Sequence, residues 1–423
     1  MDTLERAVNS GGVNGPLAAI AALVEAEAAD RSVRGVVLAP IAPLFGPPAD
    51  NDHLRFPRGA FVSIWAGLKA EAPDLVREAV SAARYLDPDE ASPAVFNRLC
   101  ARAAAGLEAG SLPEYAGAIA ACAAARPTAA AELILCLKLV PVVRPALQKL
   151  PDWIQRMTDE RRATARLAYR DATSLGEGGG PLLFEMLAAS LEQPWLVLRV
   201  VSAVMDHPGE RYLAESELAR FGERTLDHIE AQLGQVSAVK AGAGVASSRQ
   251  AGAAVQRALE AVAELEQSVQ LAKDGPWGRR LIKLKQSIAG AVESRLRDIE
   301  AAAAKALPVE KIKYSARLTR TAPRLSQAPD RQAIDATMGL LAFADSVRAC
   351  SADGGFGSAR TKALDALAKW IDQYVEDLLE QVRLGELEDD SRAREFLGVA
   401  ASLLALARDE QSAVIVRRRA AAA

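Results

Sequence analysis

Histidine is scarce, with three in 423 residues. His53, His207 and His228 form no H-E-x-x-H, and none follows a glutamate by three positions, which excludes the zincin and di-iron bundle patterns. Cysteine is almost as rare. Cys100, Cys122, Cys136 and Cys350 stand far apart without a C-x-x-C, so zinc ribbons and thioredoxin-like sites are out. In alanine-rich surroundings they read as inert core thiols, and a reducing cytoplasm is the expected compartment. No G-x-S-x-G supplies a nucleophile elbow. The glycine run Gly176–Pro181 lacks the Gly-Lys-Ser/Thr ending of a phosphate loop, and Ala352–Ser358 has no strand before it. Both read as turns. No metal or cofactor is implied.

Long apolar runs are also missing. The greasiest, Leu133–Val143, spans 11 residues and holds Lys138 and Pro141, whereas crossing a bilayer takes about 20. Pro181–Met205 is broken by Glu185, Glu192, Pro194 and Arg199 and reads as two buried helices. The opening Met1–Glu5 is acidic where a secretory signal is basic. Net charge is −3, so the polycationic footprint of a nucleic-acid binder is absent and such a partner is not expected.

What the chain has is alanine, 87 residues of it, with leucine, glutamate and arginine. These are strong helix formers. Charged residues make up 25%, the ordinary globular share. The fold class expected is all-α: an elongated, solenoid-like array of helical hairpins over 1–233, a flexible connector at 234–248, a bundle of long helices over 249–410, and a frayed basic tail at 411–423. Helices are expected near 16–29, 59–71, 74–86, 92–108, 112–125, 128–148 (broken at Pro141 and Pro145), 152–174, 181–192, 194–205, 211–233, 248–273, 277–306, 309–321, 330–350, 358–384 and 391–409. Ser111-Leu112-Pro113-Glu114 reads as a capping box, with Asp152 as another cap. Residues 33–58 carry five prolines and read as an ordered, extended loop.

Beyond the connector the stripes lengthen. Val255, Ala258, Val262, Leu265, Val269 and Ala272 step by three and four, a coiled-coil-like seam. Trp277, Leu281, Leu284, Ile288, Val292, Leu296, Ile299, Ala303 and Ala306 recur with the period of an amphipathic helix. Leu364, Leu367, Ile371, Val375, Leu378 and Val382 do the same. The Asp274-Gly275 turn makes the first two an antiparallel hairpin.

Two places attract a functional reading. One is the polar cluster Asp50–Arg58 inside the proline-rich loop, where His53, Arg55 and Arg58 are binding candidates. The other is charge: residues 270–330 carry +7 and residues 371–395 carry −6. Arg279, Arg280, Lys283, Lys285, Lys311 and Lys313 are the candidate basic surface. The acidic and basic helices could simply face each other. Otherwise three functional readings follow. The first is a non-enzymatic cytoplasmic adaptor whose helix faces and basic surface bind a protein partner. The second is a peripheral protein on anionic membrane, with Trp277 beside the cations. The third is an enzyme with its site near the 50–58 loop. His207 reads as a turn residue and His228 as a solvated surface group. Asp389-Asp390 complements a helix start.

Overall fold

The computed structural model describes residues 28, 30–47, 53–85, 93–205, 207–239, 242–315, 318–385 and 390–422. Most of the expected helix 16–29, and Asp50, Asn51, Asp52 and Asp389, lie outside them. Among the described residues the architecture is all-α apart from one two-stranded sheet. The chain divides into two compact units. One runs up to Arg224 and includes Gln267–Gln270; the other holds Thr225–Glu266 and the chain from Leu271 onward. The division falls inside a helix, Ala219–Ala238, rather than in the glycine-rich stretch that follows it.

The first unit contains α1 (Arg58–Glu71), α2 (Pro73–Arg84), α3 (Ala94–Ala109), α4 (Pro113–Ala125), α5 (Ala129–Gln155), α6 (Asp159–Ser174), α7 (Gly179–Ala189), α8 (Leu198–Val204) and α9 (Glu210–Ala214), with short 3-10 turns at Ala42–Leu44 and Pro194–Val197. Helix α5 runs through the middle and packs against α3, α4, α6, α7 and α8.

That helix continues through Pro141, Pro145 and Pro151, where the sequence suggests breaks and a new start at Asp152. All three prolines are exposed, while Leu137, Leu139, Val140, Val143 and Leu150 are buried. The proline rings therefore face solvent and leave the packed side of the helix to its apolar residues. The expected capping box does not form either. Leu112 occupies the N-cap of α4, and the Ser111 amide instead donates to the Gly106 carbonyl. Gly110, at φ +58°, closes α3 in the left-handed conformation that glycine permits.

Two contacts fix the order of the early helices. The ring of buried Tyr115 on α4 lies between Gly67 of α1 and Gly106 of α3, and a Cβ on either glycine would overlap it. Its hydroxyl donates to Glu71 at 3.0 Å. Arg144 of α5, itself buried, donates to the carbonyls of Val36 and Val37 at 3.3 and 2.6 Å and to Asn97 at 3.0 Å. These carbonyls end a helical stretch that includes residues 30–37, and for Val37 Arg144 supplies a donor to an acceptor that the helix leaves open. The expected extended loop thus starts after residue 37.

The second unit contains most of α10 (Ala219–Ala238) and α11 (Val245–Ser268), then α12 (Pro276–Ala306), β1 (Val309–Ser315), β2 (Leu318–Pro323), α13 (Arg331–Ser346), α14 (Gly357–Leu384), α15 (Asp390–Ala407) and α16 (Glu410–Ala422). All nine stripe positions of α12 are buried. Helix α12 packs on α13 and α14, α15 on α13, α14 and α16, and β2 on α14. Val255, Ala258, Val262, Leu265 and Val269 are buried, but Ala272 is exposed because α11 has already ended. Asp330 caps α13, accepting from the amides of Gln332 and Ala333 at 2.9 and 3.4 Å.

Two expectations fail here. Residues 309–315 and 318–323 pair as antiparallel strands, not a helix, with Lys311 opposite Thr321 and Lys313 opposite Thr319. Val309, Ile312, Tyr314, Thr319 and Thr321 favour a pleated surface, and this outweighs the helix propensity of the interleaved lysines and arginines. The tail is also ordered. Ala413 and Val416 of α16 are buried, and Arg419 forks onto Glu376 of α14.

Candidate functional site

The loop before α1 is closed by its own backbone. Phe56 N–H donates to the Leu44 carbonyl at 2.8 Å, and Gly46 N–H to the Phe56 carbonyl at 3.1 Å. Arg55, half-buried, donates to the Pro43 carbonyl and staples the two arms. His53 is half-buried, with Nδ1 3.5 Å from Arg224 Nη1. Arg58 is exposed at the first position of α1. The three candidates therefore have separate surroundings. Two of them hold the loop in place.

Behind His53 lies an ionic cluster that the sequence did not single out. Glu185 of α7 is 2% exposed. Arg224 forks onto it with two hydrogen bonds of 2.8 Å, and Arg220 Nε lies 3.5 Å from the same carboxylate. Both guanidinium groups sit 5.6 Å from the Phe221 ring centre. Phe221 meets Phe184 edge-on at 5.9 Å, and Phe184 stacks on Tyr169. Tyr169 donates to Glu217 at 2.7 Å, and burial with this bond pushes its hydroxyl up to about 12. The aromatic shell and the paired charges make this a packing device. Gly179 and Gly180 start α7 where a Cβ would overlap the Ala172 carbonyl and the Tyr169 ring, so the glycine run serves close approach. The second glycine cluster is likewise a turn, with Gly355 at φ +74° and Phe356 fully buried at the start of α14.

Several cations of the second unit are engaged within it. Arg280 is bound to Asp227 and Glu230 at 2.6 Å each, and Lys285 to Glu266 at 2.8 Å. Arg295 donates to the Val236 and Val239 carbonyls at the end of α10 and sits over Phe343. Arg320 pairs with Asp377 and Glu380. Arg408 reaches Asp372 at 3.0 Å. Much of the acidic stretch is thus neutralised within its own unit. Arg279 and Lys283 differ from these. They lie one turn apart on the outer face of α12, are exposed, and have no ion pair among the described residues. Ile282 between them is 44% exposed. Lys311 is exposed too, but it and Lys313 belong to β1, not to a helix continuing this face.

His207 is exposed beside Tyr212, and His228 is half-buried rather than fully solvated. All four cysteines are free and buried. Among the described residues no group of histidine, cysteine, aspartate and glutamate could hold a metal, and no helix is long and apolar enough to cross a membrane. No family model, curated protein or solved structure matches this chain.

Proposed function

We propose that the chain is a non-enzymatic adaptor that docks an acidic segment of a protein partner on the outer face of α12. The observation that carries this reading is the Arg279–Ile282–Lys283 patch: two exposed cations around one exposed aliphatic side chain. Neighbouring cations on the same helix are engaged within the unit, whereas these two lie open to a partner. Complementary charge would steer the encounter, and Ile282 would add apolar contact at its centre. Membrane insertion has less support, because Trp277, the aromatic suited to it, is 2% exposed and packs in the core.

The test is affinity capture from cell lysate with the full chain as bait. A specific partner should be retained at low salt, released as salt rises, and lost with Arg279→Glu/Lys283→Glu. Capture that the double reversal leaves unchanged would remove the α12 face from the interaction. An intact far-UV spectrum of the variant rules out unfolding as the cause.

A further inference from the structure

Helices α12 and α14 of the second unit border a cavity of about 630 Å³. Leu296 of α12 and Leu367 of α14 line it, and both are buried. Beside Leu367 the α14 wall carries Ala359, Ala363 and Ala366. Their small side chains leave the gap that larger residues on this face would fill. Trp370 completes the same wall and is only half-buried. The other four tryptophans of the chain are at most 6% exposed. An indole left partly open beside a preformed apolar gap has surface that a ligand can cover.

Charge indicates what kind of molecule would fit. Glu293, Arg297, Glu300 and Lys362 also line the cavity, two acids against two bases. On α12, Glu293 and Glu300 stand one turn to either side of Arg297, so that cation has acids on both flanks. Neither sign prevails, and a ligand gains nothing from carrying a net charge. Arg297 and Lys362 are exposed. Their methylene stems extend the apolar wall while the charged heads reach water.

Size separates a small molecule from a protein segment. The lining covers about 11 Å of α12 and about 17 Å of α14 at a helical rise of about 1.5 Å per residue. That footprint falls well short of the roughly 800 Å² that each partner gives a stable protein interface, whereas the volume lies within the roughly 300–1,000 Å³ of small-molecule sites. We propose that this cavity binds a small, uncharged, apolar molecule. The proposal shares no residue with the Arg279–Lys283 patch and does not depend on it.

Fluorimetric titration of the full chain with phenylnaphthylamine, an uncharged probe that brightens in apolar surroundings, tests it. Saturable binding at a single site is expected, unmoved by salt. Ala363→Phe, which fills the cavity from the α14 side, should weaken binding by about tenfold or more with the far-UV spectrum unchanged. Ala366→Trp, at an exposed position of the same wall, should weaken it likewise and covers the case in which Ala363→Phe does not fold. Ile415→Ala, which removes an exposed aliphatic side chain of α16, should leave it unaltered. Dodecanol should displace the probe at least as well as dodecanoate. It should also shield tryptophan emission from acrylamide, a protection that Trp370→Phe lacks. Absence of saturable binding overturns the proposal, as does a loss in the α16 variant equal to that in the cavity variants. A preference for dodecanoate over dodecanol overturns the uncharged class.

Discussion

Glu185 and Arg224 lie 39 residues apart and meet fork to fork, with two hydrogen bonds of 2.8 Å, in a setting that leaves the carboxylate almost no solvent. Removing Arg224 leaves buried Glu185 only the more distant Arg220 guanidinium, and an under-compensated buried charge costs far more than the pair itself contributes. Arg224→Ala should therefore lower stability by about 3–5 kcal/mol, read from the urea midpoint. The double variant Glu185→Leu/Arg224→Leu should recover most of that loss. If it is as unstable as the single variant, the cluster contributes more than charge compensation.

Glycine replaced by alanine inside a helix ordinarily stabilises by roughly 0.5–1 kcal/mol. At Gly67 and Gly106 the sign should reverse, because the Tyr115 ring occupies the space of each new methyl group. Each substitution should destabilise by about 1–3 kcal/mol through overpacking. A thermal-unfolding cycle with Tyr115→Ala isolates the cause. In that background the penalty of Gly67→Ala should vanish, since the coupling exists only while the ring is present.

The legible part of this fold is the part set by short-range periodicity. The nine-residue stripe of α12 is buried throughout because a regular helix turns every apolar position onto one side. Legibility fails where local rules depend on which side a residue faces. Pro141 and Pro145 look like breaks until α5 is seen to present them to solvent. The paired strands at 309–315 and 318–323 are hidden because lysine and arginine speak for helix while Val309, Ile312, Tyr314, Thr319 and Thr321 speak for a strand. The candidate sites are least legible of all. Arg280 and Arg279 are adjacent in sequence, yet one is bound to Asp227 and Glu230 and the other is exposed, a difference made by the path of α10.

The thiols offer a direct reading of core integrity. Burial pushes Cys100 up to about 12 and Cys122 up to about 11, and raises Cys136 and Cys350 as well. Thiolate is the reactive form, so the native chain should resist an aromatic disulfide reagent at about pH 8, near the ordinary thiol range. All four should react once denaturant opens both units. Rapid labelling of Cys100 in the native state would mean that the contact of α3 with the Val36–Val37 helix end opens readily.

Acid should release α16 before it unfolds the bundle. Glu376 is held below the ordinary glutamate range, first by its hydrogen bond from Arg419. Asp409, which caps this helix by accepting from the Ser412 amide at 2.7 Å, is also lowered. A carboxylate whose folded value is depressed contributes stability that is fully present above its unfolded value. That contribution fades as pH falls through the folded one. Arg419 stays charged over this range, so protonating Glu376 and Asp409 removes the acceptors and leaves the cations behind. Hydrogen exchange of residues 410–422 should accelerate below about pH 4, where carboxylates take up protons, while the core of α12 stays protected. Glu376→Gln should reproduce part of that acceleration at neutral pH. Exchange in α16 that is unmoved by acid and by this substitution would place its anchoring in Ala413 and Val416 alone.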